Sequence, residues 1–234
     1  MIRLTQQDHI NILTMDGAEG NSIDLEFLAA LHESLDAVEA AADGPAALLI
    51  TGSGKAFSVG LNVATLMGYQ PEQMTTFDTE VRRLYGRLVN FPLPTIAAVN
   101  GHAFAAGAYL ALACDYRVMR EDRGWFCISE VDVGVPIHPD VQAMAQAKLA
   151  PQVLRDAVLQ GKRFVGPECV DLGIADAACS EESLIATAIE LIAALSIKER
   201  TIFTTLKSTL YARYATALGA TENTVKSKAG ALQI

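Results

Sequence analysis

Two segments repeat one arrangement in which backbone groups alone could do chemistry. TGSGKAFSVGLNV (51–63) runs from an apolar strand pattern through a glycine-rich loop into a helix start, and VNGHAFAAGAYL (99–110) does the same. The first N–H groups of a helix have no partner inside it, and the helix dipole favours negative charge there. Two such turns side by side would form an oxyanion hole from backbone alone. The small residues around them would let an acyl group pass. The competing reading is a pair of tight turns that need only glycine's backbone freedom, and the pattern alone leaves both open. A phosphate-cradling P-loop is excluded, because the GxxxxGK[ST] spacing is absent from GSGKAFS. GxGxxG, the dinucleotide fingerprint, follows neither strand.

The elements that must position these turns are legible from periodicity. Residues 2–6 and 9–14 read as two short strands joined by a polar turn, and 46–51 and 95–100 as buried strands. Residues 24–42 read as a helix with Leu28, Leu31, Leu35 and Val38 on one face. Further helices are expected at 72–90, 105–113, 139–149, 152–160, 182–195 and 198–218. YRVM (116–119) reads as a strand, and FCISEVDVGVP (126–136) as an extended segment broken by Gly134 and Pro136. GKRFVGPECVDLGIADAA (161–178) reads as turn, strand, short helix and strand. Strands alternating with helices give an α/β fold. A core over 1–195 and a C-terminal helical segment over 196–234 are expected, the latter suited to packing on a neighbouring subunit.

Composition bounds the function. The chain has 234 residues, 51% of them hydrophobic, and a net charge of −9. That balance argues against a general nucleic-acid surface. Cys114, Cys127, Cys169 and Cys179 form no CxxC pair and read as buried thiols in a reducing compartment. No apolar run reaches the ~18 residues of a membrane span. The N-terminal residues do not read as a signal peptide, nor GALQI as a peroxisomal address. A cytoplasmic enzyme, without membrane or nucleic-acid partners, is the expectation.

DGAEGNSI (16–23), GSGKAFSVGLNV (52–63), AVNGHAFAAGAYLALACDYRVM (98–119) and FCISEVDVGVP (126–136) together resemble the crotonase, or enoyl-CoA hydratase/isomerase, superfamily. GKRFVGPECVDLGIADAA matches the sector after its catalytic core. The resemblance implies a ββα spiral with a C-terminal helical region, and a homotrimer or hexamer. It implies an acyl-CoA thioester substrate, with coenzyme A entering as part of that substrate and no metal or other cofactor. It places oxyanion N–H groups at Leu61 and Ala106 and a catalytic carboxylate at Glu130, through Phe-x-x-x-Glu. Substrate contact is implied for Ala56, Ser58, Val59, Gly60, Ala105, Gly107 and Tyr109.

The departures from the pattern narrow the chemistry. Hydratases of the family typically carry two glutamates; the first falls at Tyr109 here, and Asn62 stands where aspartate is common. Adding water to an enoyl thioester is straightforward with two carboxylates. One carboxylate is enough to take a proton from C2 of a 3-enoyl thioester and return it at C4. The single glutamate, with CDYRVM and REDRG around it, looks like the Δ3,Δ2-enoyl-CoA isomerase branch. The alternatives are a hydratase or thioester hydrolase using Glu130 with Asp140 or a water chain, and a non-catalytic acyl-CoA binder.

Each candidate has a plainer role open to it. Glu130 could pair with Arg117 or Arg123; if catalytic, burial should raise its pKa. Tyr109 reads as packing that closes a water site, or as an acid. Asp132, His138 and Asp140 are loop groups or a second polar set at the acyl end. His102 is a turn residue or a pocket wall. Arg82, Arg83, Lys207, Lys226 and Lys228 are solvated, or meet a phosphate. Met67, Met74, Phe77 and Leu84 read as core, or as the wall of an acyl tunnel.

Overall fold

The structure, a computed structural model, describes residues 1–41 and 44–218. The chain opens with β1 (Ile2–Gln7) and β2 (Ile10–Met15), an antiparallel hairpin that turns at Asp8 with φ 50°. A single turn, α1 (Ala18–Asn21), leads to α2 (Leu25–Ala41), which buries Phe27, Leu28, Leu31, Leu35 and Val38. Then one pattern recurs. β3 (Ala47–Gly52) and β4 (Ala56–Ser58) precede α3 (Val63–Leu66) and α4 (Pro71–Val89). β5 (Thr95–Val99) and β6 (His102–Phe104) precede α5 (Ala106–Ala113). β7 (Tyr116–Arg120) and β8 (Phe126–Cys127) precede α6 (Glu130–Val133), α7 (Pro139–Lys148) and α8 (Pro151–Gln160). The chain closes with α9 (Gly166–Asp171), β9 (Ala177–Cys179), α10 (Leu184–Ser196) and α11 (Arg200–Ala215).

Each repeat gives its first strand to one sheet and its second to another. The large sheet has the order β1-β2-β3-β5-β7-β9, parallel from β2 onward, and the small sheet is β4-β6-β8, all parallel. This is the ββα spiral, an α/β fold with helices at its C-terminal end. The central strands are buried on both faces, as their continuous apolar runs require. Period-two alternation divides them between two cores. Leu48 and Ile50 face the main core with α2, α4 and α5, whereas Ala47 and Leu49 join Ile96, Val118 and the Leu184, Ala188 and Ile192 face of α10.

The structure departs from the sequence expectation at three places. FCISEVDVGVP is strand only at Phe126–Cys127; a helical turn follows, closed by Gly134 in the left-handed region at φ 69°. The Ser129 carbonyl accepts from the Asp132 and Val133 N–H groups, so Glu130 heads a helix rather than sitting in extended chain. The strand expected after Gly161 shrinks to one antiparallel bridge between Phe126 and Phe164. The small sheet was not anticipated, because runs of two or three residues carry no period.

Cys114, Cys127 and Cys169 are buried thiols and Cys179 is half-buried, none of them in a disulfide. Among the described residues no helix is long and apolar enough to cross a membrane. The C-terminal segment is represented by α11, which packs on α4 and α7. Lys226, Lys228 and the rest of residues 219–234 lie outside the described residues.

Candidate active site

Pairing of β4 with β6 brings the two glycine-rich turns together. Gly60 has φ 94°, and a Cβ on it would lie 2.9 Å from the Phe104 carbonyl oxygen and 3.4 Å from the Ala106 nitrogen. A Cβ on Gly107 would overlap the Ser58 carbonyl. The turns therefore meet backbone to backbone, and side chains at these two glycines would hold them apart. Ile23 bridges the first turn: its N–H donates to Gly60 O at 2.8 Å, and the Asn62 N–H donates to Ile23 O at 2.9 Å. The ladder steps over the Leu61 N–H. Ala106 is the first residue of α5, where an N–H has no intrahelical partner. Among the described residues neither amide has an acceptor.

Ala105 adopts φ 48° and ψ −120°, a conformation that normally calls for glycine. This dihedral pair sets the direction of the following Ala106 N–H. Strain of this kind typically costs about 1–3 kcal/mol and persists only where neighbours enforce it. The enforcement is visible: the Ala105 N–H donates to Cys127 O at 2.9 Å, and the Phe104↔Cys127 register of β6 and β8 aligns the two chains.

Polar side chains brace the first turn. Asn21, at φ 61°, accepts from the Gly17 N–H and donates to the carbonyls of Ala56 and Phe57. Ser58 is fully buried; its hydroxyl donates to Asn21 O and accepts from the Gly60 N–H. Ser58 is thus part of the loop's frame. Ala56 is buried, Val59 is exposed and Leu61 is half-buried. Asn62 both donates to the Asp24 carboxylate at 3.0 Å and accepts from the Thr65 N–H, so it caps α3. An aspartate could do the second but not the first. The sequence flagged Asn62 only as a departure; its pairing with Asp24 spans 38 positions and leaves no local signal.

Glu130 enters from the third repeat, three residues past the Cys127 carbonyl that holds Ala105. It is buried, and among the described residues its Oε2 has no hydrogen-bond partner. Burial pushes its pKa up to about 7, opposed only by its own backbone N–H. The Arg117 guanidinium is committed elsewhere, to the carbonyls of Ile174, Ala111 and Cys114. Arg123 acts electrostatically on His102. Among the described residues, the groups that feel the Glu130 charge include Cys127 of β8 and two buried tyrosines, Tyr85 of α4 and Tyr109 of α5. Tyr85 donates to the Ala106 carbonyl at 2.9 Å and lies 6.4 Å, ring to ring, from Tyr109. Tyr85 went unnoticed in the sequence, where an aromatic on the apolar face of α4 looks like any core residue.

Other candidates resolve into structure. Arg82 pairs with Asp78 and reaches Asp140, while Arg83 pairs with Glu80. Lys207 is buried and bound to Asp115 at 2.6 Å, neither solvated nor open to a phosphate. His138 caps α7 and contacts Asp140 at 3.1 Å. The Asp132 carboxylate lies against Gly161 at the end of α8. His102 stacks on Phe104 at 5.1 Å and leans on Trp125. The apolar stripe divides: Phe77 and Leu84 are core, whereas Met67 and Met74 are exposed.

A free pair of adjoining amides and a buried, unpaired carboxylate can stabilise an enolate oxygen and move a proton on the adjacent carbon. Residues 5–228 match the family described as enoyl-CoA hydratase/isomerase. "Enoyl-CoA delta isomerase 3" of Arabidopsis thaliana is 31% identical over 231 residues, 95% of this chain and 97% of that protein. "Enoyl-CoA delta isomerase 2, peroxisomal", also of Arabidopsis thaliana, is 31% identical over 94% of this chain and 95% of that one. The crystal structure of a probable enoyl-CoA hydratase from Mycobacterium tuberculosis superposes with a TM-score of 0.87 at 25% identity, covering 94% of this chain and 92% of that one. The chain belongs to the enoyl-CoA hydratase/isomerase family, the crotonase superfamily, and stands with its isomerase branch.

Proposed function

We propose that this protein is an enoyl-CoA isomerase that converts 3-enoyl-CoA to trans-2-enoyl-CoA. The observation that carries the reading is a buried Glu130 that has no cation partner among the described residues, on the segment that holds Ala105, together with two adjoining amides that have no acceptor among those residues. The relatives 31% identical over nearly the whole chain support it.

In the proposed reaction the thioester oxygen accepts hydrogen bonds from the Leu61 and Ala106 N–H groups. Glu130 takes a proton from C2. The electron pair left behind delocalises into a dienolate, whose negative oxygen the amides stabilise; one such donor is worth about 3–4 kcal/mol in other enzymes. Glu130 then returns the proton to C4, and the double bond comes to rest between C2 and C3. The step is redox-neutral and needs no metal or other cofactor; coenzyme A arrives with the substrate. Gly60, Ala105 and Gly107 would shape the passage between the turns, with Ala56 and Val59 alongside the coenzyme. The proposal includes assembly as a trimer or hexamer and a cytoplasmic location.

The test is conversion of a 3-enoyl-CoA followed by chromatography. The wild type should yield the trans-2-enoyl isomer, and Glu130→Gln should bind the substrate yet lose at least about a thousandfold in kcat. Undiminished turnover in that variant would remove Glu130 from the mechanism.

A further inference from the structure

Tyr109 and Glu130 share an unusual condition. The tyrosine hydroxyl and the carboxylate Oε2 are both buried, and among the described residues neither has a hydrogen-bond partner. The β6–β8 register and the Ala105–Cys127 hydrogen bond carry the Glu130 segment alongside the start of α5, and Tyr109 lies one helical turn after Ala106. Tyr109 lies within reach of the Glu130 charge. The hydroxyl is a donor that burial and the Glu130 charge keep protonated. A ring that only filled space would be served by phenylalanine, without an unpaired buried hydroxyl.

We propose that Tyr109 is a positioning residue that orients and stabilises the ionised Glu130 carboxylate through its hydroxyl, directly or across one bound water. This rests on the reading of Glu130 as the base. A hydrogen bond to the charged form favours that form, so the hydroxyl holds the glutamate ready to accept a proton. Tyr85 does not share the role, because its hydroxyl is spent on the Ala106 carbonyl. The other titratable groups around Glu130 are Cys127 of β8 and Asp132 of α6 itself; α8, which packs on α6, brings Arg155 and Asp156, bound to each other.

The test is titration of the Glu130 carboxyl by carbon NMR on glutamate-labelled protein, with the signal assigned from Glu130→Gln. Tyr109→Phe should raise the Glu130 pKa by about 0.5–1 unit, while Tyr85→Phe leaves it in place. In turnover, for a base titrating near 7, that shift lowers kcat/KM of Tyr109→Phe about three- to eightfold at pH 6.5 and less than twofold at pH 9. A Glu130 titration in Tyr109→Phe that superimposes on the wild type would overturn the proposal. The NMR arm needs no turnover: a wild type that titrates as described but fails to isomerise would count against the proposed function alone.

Discussion

At the scale of single residues, Glu130 sets both activity and a stability cost. Its folded pKa, about 7, lies above the 4.5 of a free glutamate. The base works only when deprotonated, so activity should rise with pH through about 7 and be lost below it. Stability runs the other way. Between pH 4.5 and 7 the folded state holds a proton that the unfolded state releases, so the stabilising effect of the protonated group is complete below 4.5 and lost as pH rises through 7. Glu130→Gln removes that penalty. The variant should be more stable than wild type by about 2–3 kcal/mol at pH 8 and similar to it at pH 4.5, read by denaturant titration. Asn62 offers a second test. Asn62→Asp would set a carboxylate against Asp24 where a hydrogen bond now stands. It should cost about 1–2 kcal/mol at pH 7, and Asp24→Asn in the same chain should restore most of it. A double variant no better than the single would refute the pairing. Motif resemblance named Glu130, Leu61 and Ala106 as candidates; it did not name Tyr85 or the Asn62–Asp24 pair, because long-range side-chain contacts leave no periodic trace.

Among elements, the site depends on strands too short to read. β3 and β5 are apolar runs and α2 is an amphipathic helix, so each stood out. β4, β6 and β8 have only two or three residues each, yet their pairing presses Gly60 against Ala106 and Gly107 against Ser58. The helical turn at Glu130 was masked by β-branched valines, which suggest a strand until Gly134 closes the turn. Two substitutions probe this frame. Gly107→Ala would drive a methyl into the Ser58 carbonyl and should destabilise by about 3 kcal/mol, with loss of activity. Ala105→Gly would relieve the strained φ, and even after glycine's added unfolded-state entropy should stabilise by about 1 kcal/mol in thermal melts. A clear loss of stability in Ala105→Gly would show that the backbone there is not strained.

For the whole molecule, the α/β class followed from alternating strand and helix signals and the spiral from the family resemblance, but the division into two sheets followed from neither strand nor helix pattern. Which strand joins which sheet is settled by pairing between repeats, a contact no single segment encodes. The same limit applies to surfaces. Ile202, Leu206 and Leu210, at spacings of four, leave an exposed apolar stripe along α11. In the proposed trimer or hexamer this stripe is covered. Native mass measurement should therefore give a multiple of three chains, and Leu206→Asp with Leu210→Asp should shift it toward smaller species. A wild-type monomer would contradict the assembly.

The central claim is a proton carried from C2 to C4 by one glutamate. Its most direct test is mass analysis of the product after incubating the protein with a 3-enoyl-CoA in heavy water, with Glu130→Gln alongside. The account predicts a trans-2-enoyl-CoA carrying partial deuterium, formed by the wild type and not by the variant. A hydroxyacyl product, free coenzyme A, or isomerisation undiminished in the variant would contradict it.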